Sequence, residues 1–328
     1  MVTLYLIKGS KAYDITDITQ RIVWSGRKNS PARSLRATVI DDEYAGGRPN
    51  INVKDGQFLA LKDGSNFVFQ GMIESINKSS SGSLEVQAYD NAIFLSNNRD
   101  TFTYKKKTAT QIFKDICKRY GIKYDKAVNT KYKIPVLAKD KTTIYDVMLE
   151  ALSQTYKSKG VRYYIYSMNG KLNLVKRSEN TEKIKLTTKD DSNITSYIYG
   201  NDISETKTRI KLTSKSGKVS NTQKDKALEK KIGQRQDIDS PDENLKKAKL
   251  KQMAKTMLAE AKKSVQSLQI TSAGSSKVYS GKCVYVQLPE ETIDRAFYVD
   301  ADTHTWSAGG NHTMTLTLNF ADDIMTPE

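Results

Sequence analysis

The strongest constraint on this chain is a change of hydrophobic period. Both ends alternate every second residue in short runs, whereas the middle shifts to helical spacing. Residues 1–95 hold six such runs, TLYLIK, RIVWSGR, SLRATVI, QFLALK, NFVFQGMIESI and SLEVQAYD, parted by turn signals such as Asp63-Gly64 and the Ser/Gly stretch at 79–83. Alternation of period two sends one face of each run into a core and leaves the other in solvent, so the segment predicts a small barrel or sandwich. The polar interval Asp41–Asn50 has little strand propensity and leaves two readings open, a contact loop or disorder.

The period changes at Thr108. Thr108 and Gln111 form a capping box ahead of Ile112, Phe113, Ile116 and Tyr120, with Gly121 placed to end the helix. A second helix is expected from Thr143, with Asp146 at its third position and Ile144, Val147, Met148, Ala151 and Leu152 on one face. Two strand runs then flank Asn169-Gly170, the strongest hairpin signal in the chain. Residues 96–182 therefore read as a mixed α+β module.

Residues 183–240 carry the runs IKLTT, SYIYG and TRIKLTS, a turn at Ser216-Gly217, and a charged stretch that reads as a loop. Ser240-Pro241-Asp242-Glu243 combines an N-cap, a proline at the first helical position and a capping glutamate, predicting a helix from Pro241 to about Lys263. Leu245, Leu250, Ala254, Met257, Leu258 and Ala261 make only a partial stripe among its lysines, so residues 241–263 read as a connecting helix on a surface. SLQITS, KCVYVQL, RAFYVDADTHTWS and HTMTLTLNF, with a hairpin over Ala308-Gly309-Gly310-Asn311, make residues 264–328 a second small β domain. The expected class is α+β, predominantly β: two barrel-like domains, at 1–95 and 264–328, around an α+β module and a connecting helix.

At 328 residues the chain has length for two or three domains with real cores. Eighteen Tyr against eight Phe and two Trp supply rings with polar tips, suited to half-buried strands and protein interfaces. Trp24 and Trp306 lie in strand runs and are expected in the core. No run of about 18–20 apolar residues is present, so no membrane partner is expected. Met1–Ser10 lacks the basic start and apolar stretch of a secretory signal, so synthesis in the cytoplasm is expected. Cys117 and Cys283, far apart in a helix pattern and a strand pattern, read as buried free thiols rather than a disulfide.

The net charge of +16 invites a nucleic-acid reading until its distribution is examined. It partitions as +1 over residues 1–95, +8 over 96–135, +5 over 136–214, +7 over 215–263 and −5 over 264–328. A basic middle between a neutral and an acidic end suits faces that meet different partners better than a wrapped polyanion. Lys105-Lys106-Lys107 and Lys246-Lys247 are the visible basic clusters, read as solvated surface. The first precedes a helix N-cap, where positive charge is unfavourable, which makes an acidic partner attractive.

Catalytic constellations are hard to assemble. Acyl transfer needs a nucleophile beside a histidine base, and only His304 and His312 exist, near the two arms of one terminal hairpin with no nucleophile motif around Cys283. A metal site from them would need Asp302 or Asp300, on a strand whose faces alternate, so both histidines are read as surface or interface residues. Carboxylates for glycosidase chemistry are plentiful, but no segment is free to be a separate wall-cleaving module. Phosphate-loop and dinucleotide fingerprints are absent. No catalytic, cofactor-binding or metal residue is assigned, no cofactor is expected, and the chain reads as a non-enzyme.

Several strings in order resemble a known family. Ile22-Val23-Trp24-Ser25-Gly26 is followed by Ala32-Arg33-Ser34-Leu35, then by Val53-Lys54-Asp55-Gly56-Gln57-Phe58 leading to Phe69-Gln70-Gly71-Met72-Ile73. The last domain adds Phe297-Tyr298-Val299-Asp300-Ala301-Asp302-Thr303-His304-Thr305-Trp306 and His312-Thr313-Met314-Thr315-Leu316. With the α+β insert between, the order is similar to the baseplate hub family of contractile phage-type tails, the late-control-protein-D-like group that includes the XkdQ/YqbQ proteins of PBSX-like prophages. The resemblance implies two tube-like barrels per chain and three chains in a pseudo-sixfold ring, between a sixfold tail tube and a threefold spike. It further implies a homotrimer with the tail spike protein, the tail tube protein and other baseplate proteins as partners, no specific nucleic acid, and a place in the baseplate of a phage, prophage or tailocin particle made in a bacterium. The alternatives are a tail-associated peptidoglycan hydrolase or cell-wall-binding protein, and a basic nucleic-acid-binding protein.

Overall fold

The structure, a computed structural model, describes residues 2–28, 30–40, 51–80, 82–189, 191–240 and 246–320. The polar interval Asp41–Asn50 and the expected helix start at Pro241–Leu245 lie outside the described residues. The chain forms two units, Met1–Tyr197 with Gln269–Glu328, and Ile198–Leu268.

The first unit opens with β1 (Val2–Lys8), β2 (Lys11–Asp14), β3 (Thr19–Arg27), β4 (Ser34–Ile40), β5 (Phe58–Asp63), β6 (Asn66–Lys78) and β7 (Ser83–Asp90). All six alternating runs are strands. β2 is an addition that alternation does not mark, because all four of its residues are exposed. Every second residue of β4 and β7 is buried, Leu35, Ala37 and Val39 facing the same core as Leu84, Val86 and Ala88, and Trp24 of β3 sits at its centre. Gly71 of β6 has no alternative, since a Cβ there would run into the Tyr89 carbonyl and the Phe69 ring.

Next come α1 (Ile93–Asn97), β8 (Arg99–Thr108), α2 (Ala109–Arg119), β9 (Tyr124–Ala127), β10 (Lys133–Thr143), α3 (Ile144–Lys159), β11 (Tyr163–Met168) and β12 (Lys171–Lys176). The capping box forms, with the Gln111 N–H donating to Thr108 Oγ1 at 3.1 Å and the Thr108 N–H donating to Gln111 Oε1 at 2.9 Å. Thr143 caps α3 in the same way, accepting the Asp146 N–H at 3.1 Å, and Gly160 ends it at φ +66°. Asn169 and Gly170 both take positive φ, 49° and 69°, which the tight β11–β12 hairpin requires. α2 and α3 bury Ile112, Phe113, Ile116, Val147, Met148 and Ala151 against an antiparallel β8–β10 ribbon and the β9-β12-β11 sheet.

β13 (Thr181–Thr187) and β14 (Ile194–Asp202) lead to the second unit, which holds β15 (Arg209–Thr213), β16 (Ser220–Lys224), α4 (Lys226–Ile232), β17 (Gln236–Asp239) and α5 (Lys247–Ala261). The charged stretch after Ser220, expected as a loop, is therefore corrected to a strand, a helix and a strand. β16 pairs antiparallel and β17 parallel with β15, and Asp225 caps α4 by accepting the Leu228 N–H at 3.1 Å. The lysines that hid these elements project from a thin layer in which Ile210 and Leu212 of β15 pack on Leu250, Ala254 and Leu258 of α5.

The chain passes back into the first unit along β18 (Val265–Ala273), followed by β19 (Cys283–Leu288), β20 (Ile293–Ser307) and β21 (His312–Asn319). These strands join the opening ones edge to edge. One 13-stranded sheet runs β14-β18-β21-β20-β3-β4-β7-β6-β5-β1-β2, with β19 branching from β20 and carrying β13. The join is β20 against β3, in register His304 opposite Trp24 and Asp302 opposite Gly26. The fold is α+β and predominantly β.

Candidate functional site

The β3–β20 join is where the chain concentrates its buried polarity. Along β20, Asp302, His304 and Trp306 share one parity and all turn inward. Arg33, just ahead of β4, reaches Asp302 with both terminal nitrogens: Nη1 donates to Oδ1 at 2.9 Å and Nη2 to Oδ2. Its guanidinium sits over Trp24, with Cζ 3.9 Å from the ring centroid, and Gly26 is bare because a Cβ would overlap it. The Ser280 N–H also donates to Asp302 Oδ1 at 2.6 Å, while Arg33 Nη1 reaches Ser280 Oγ at 3.3 Å. Behind it, the Arg33 and Ala92 N–H groups donate to the two oxygens of Asp90 at 3.2 and 3.0 Å. Arg33, Asp302 and Asp90 are all buried.

Burial works against the Arg33 charge, but Asp302 more than offsets it and holds the guanidinium above its usual value. Desolvation pushes the Asp90 carboxyl up to about 7, against its backbone N–H bonds and the nearby Arg33. His304 donates from Nε2 to the Val278 carbonyl at 2.8 Å, since a carbonyl can only accept, so its Nδ1 must accept from His312 Nε2 at 3.0 Å. Both rings are neutral: burial draws His304 and His312 down to about 4. His312 stacks on Trp306 with centroids 4.0 Å apart.

His304, expected at a surface or interface, is thus corrected to a fully buried residue, because strand parity turns it inward beside Asp302. Both of its nitrogens are committed to protein partners, which leaves no lone pair for a metal, and among the described residues no group of three His, Cys, Asp or Glu is placed to hold one. Trp24 and Trp306 are core residues as expected. Cys117 is buried and Cys283 half-buried, both free, and burial pushes the Cys117 thiol up to about 12, an inert thiol.

The clasp therefore binds the opening strands to the closing ones. Sequence reasoning missed it. The available signal was a charged Asp302 on the same parity as Trp306, which in an alternating strand marks a buried charge in need of a partner. On the opposite side of the sheet, Arg21, Val23, Ser25, Ser34, Arg36, Thr38, Glu85, Gln87 and Thr303 line a polar depression of about 310 Å³. There Arg36 pairs with Glu85 at 3.6 Å, and the Ser25 and Ser34 hydroxyls meet at 3.0 Å.

The strings that converge on this join fall within the stretch matched by one family model, described as YQBQ-like, over residues 22–319. The chain belongs to the YQBQ-like family. Among curated relatives, the phage-like element PBSX protein XkdQ of Bacillus subtilis (strain 168) is 30% identical over 322 residues, 96% of each chain. Solved structures of similar fold include two tail proteins. The 43 kDa tail protein of prophage MuSo2 from Shewanella oneidensis has a TM-score of 0.70 at 15% identity, covering 96% of this chain and 97% of that one. The tail protein from Neisseria meningitidis MC58 has a TM-score of 0.66 at 18% identity, covering 99% and 98%.

Proposed function

We propose that this YQBQ-like chain is a non-enzymatic structural protein of a contractile tail, the baseplate hub, three copies of which form a ring joining the tail tube to the central spike. The observation that carries the reading is the 13-stranded sheet in which the opening and closing strands of the chain are fused through β3 and β20 and pinned by Arg33 and Asp302. Two strand-rich segments held in one sheet offer two related faces per chain, and three copies offer six, which suits a sixfold tube on one side and a threefold spike on the other. The naming of relatives as phage-like element and tail proteins supports the same reading.

In functional terms, residues 1–95 and 264–328 are the tube-like segments. Residues 96–182 form the decorating α+β module, and 183–240 with 241–263 form the connection between them. The protein is a component of the virion or tail-like particle, meeting tube, spike and neighbouring baseplate proteins, with no cofactor, membrane or specific nucleic acid.

Solution mass of the chain, alone and with the spike protein of its particle, tests the reading: a trimer in either condition is expected, and a strict monomer in both overturns it. Clearing of purified peptidoglycan by the isolated chain would replace it with a hydrolase. Tight binding to duplex DNA that weakens steeply with salt would replace it with a nucleic-acid protein.

A further inference from the structure

The β8–β10 ribbon carries charge that the described residues do not answer. Lys105, Lys106, Lys107, Lys131 and Lys133 are all exposed, and among the described residues none of their ammonium groups has an ion-pair or hydrogen-bond partner. Other lysines of the same unit do find acids: Lys139 reaches Glu150 and Lys282 reaches Glu182, each at 3.7 Å. Lys106 sits at φ +51°, a left-handed backbone inside β8 between Lys105 and Lys107. Val136, paired with Lys105 across the ribbon, is 54% exposed, an apolar spot in a cationic rim.

The turn between β19 and β20 is the converse. Glu290, Glu291 and Asp294 gather there, and their partners are neutral: Thr188 Oγ1 to Glu290 at 3.0 Å, the Tyr197 hydroxyl to Glu291 at 2.9 Å, the Tyr285 hydroxyl to Asp294 at 2.8 Å and Gln287 Nε2 to Asp294 at 3.4 Å. No cation pairs with the three carboxylates among the described residues. The Tyr197 hydroxyl is pushed up to about 12 by its bond to Glu291. Tyr285, 41% exposed, supplies an apolar ring inside this acidic rim. Each surface has the anatomy of a small interface, an apolar centre with a charged border, and the borders are of opposite sign.

We propose that the lysine end of the β8–β10 ribbon docks on the Pro289–Asp294 turn of a second copy of this chain. The contact is heterologous, one surface of each copy against the other surface of the next, which is the kind that closes into a ring. It rests on the ring reading above and assigns that ring one of its joints.

Sedimentation across a concentration series tests it, with urea midpoints confirming that each variant folds. Lys105→Glu with Lys107→Glu, and separately Glu290→Lys with Glu291→Lys, are expected to weaken self-association by at least about tenfold at low salt, and the four changes together to restore it to within about threefold. Single sets that assemble like the wild type, or a combination that fails to restore assembly, overturn the joint and leave the ring reading standing. A wild-type chain that stays monomeric alone and with its spike overturns the ring reading and the joint with it. Loss of duplex DNA retention in the lysine variant, with the ring intact, would show that the ribbon faces a polyanion and would also overturn the joint.

Discussion

The clasp at β3–β20 and the ribbon at β8–β10 are both built on strands and both carry cations, yet they treat charge in opposite ways. At the clasp, Arg33 is answered by Asp302 on two nitrogens and by the Trp24 face, all out of water. On the ribbon, Lys105, Lys106, Lys107 and Lys133, with Lys131 just ahead of β10, stand in solvent with no ion-pair partner among the described residues. A buried charge must be satisfied within the fold, because desolvation makes an unpaired one untenable, whereas an exposed charge costs little and remains available to a partner. Charge at the clasp thus belongs to stability, and charge on the ribbon to association.

The comparison breaks most readily at Arg33. Arg33→Ala strands Asp302 in the core and should cost about 3–5 kcal/mol in urea unfolding, while Arg33→Met combined with Asp302→Leu should cost far less, because no charge is left unpaired. If the double change costs as much as the single one, the clasp is not held by the pairing.

Acid should reach the same region through its histidines. With folded-state values drawn down to about 4, His304 and His312 remain neutral while the unfolded chain takes up protons below its ordinary pKa of about 6.5, so stability is lost as pH falls from about 6.5 towards 4. Asp90, raised to about 7, works the other way: its contribution is present at low pH and is lost as pH rises from about 4 through 7. Two groups against one leave a net loss on acidification, about 2 kcal/mol between pH 7.5 and 4.5. Asp90→Asn should deepen that loss and His312→Gln should shrink it, both read from urea midpoints at the two pH values.

Thr108 lies where the ribbon runs into α2, and Thr108→Ala removes the cap that accepts the Gln111 N–H, a loss of about 1 kcal/mol by thermal unfolding. The smallest effect belongs to the ribbon. Lys105→Ala with Lys107→Ala should leave monomer stability within about 0.5 kcal/mol. A larger loss would mean that these lysines serve the fold after all.

The sequence showed its strands wherever one face is buried and one is wet, as in SLRATVI and SLEVQAYD, and its helices where a cap met a clear stripe, as at Thr108 and Thr143. It concealed β8 and β10, where lysines and Pro135 mask the alternation, and β16, α4 and β17, whose charged side chains cover a small core supplied by Ile210 and Leu212. The clasp was legible only as parity. Nothing local tells Asp302 that its partner is Arg33, and His304 looked like a surface residue until the pairing with β3 enclosed it.

The pairing of Trp24 with His304 has a consequence for how the protein is made. Once β3 has emerged from a ribosome, its free edge must wait for residue 307, roughly 15–60 s at about 5–20 residues per second. Throughout that interval the half-built sheet exposes a hydrogen-bonding edge open to wrong pairing. A chain cut short before β20 would keep that edge, so the arrival of β20 is what removes it.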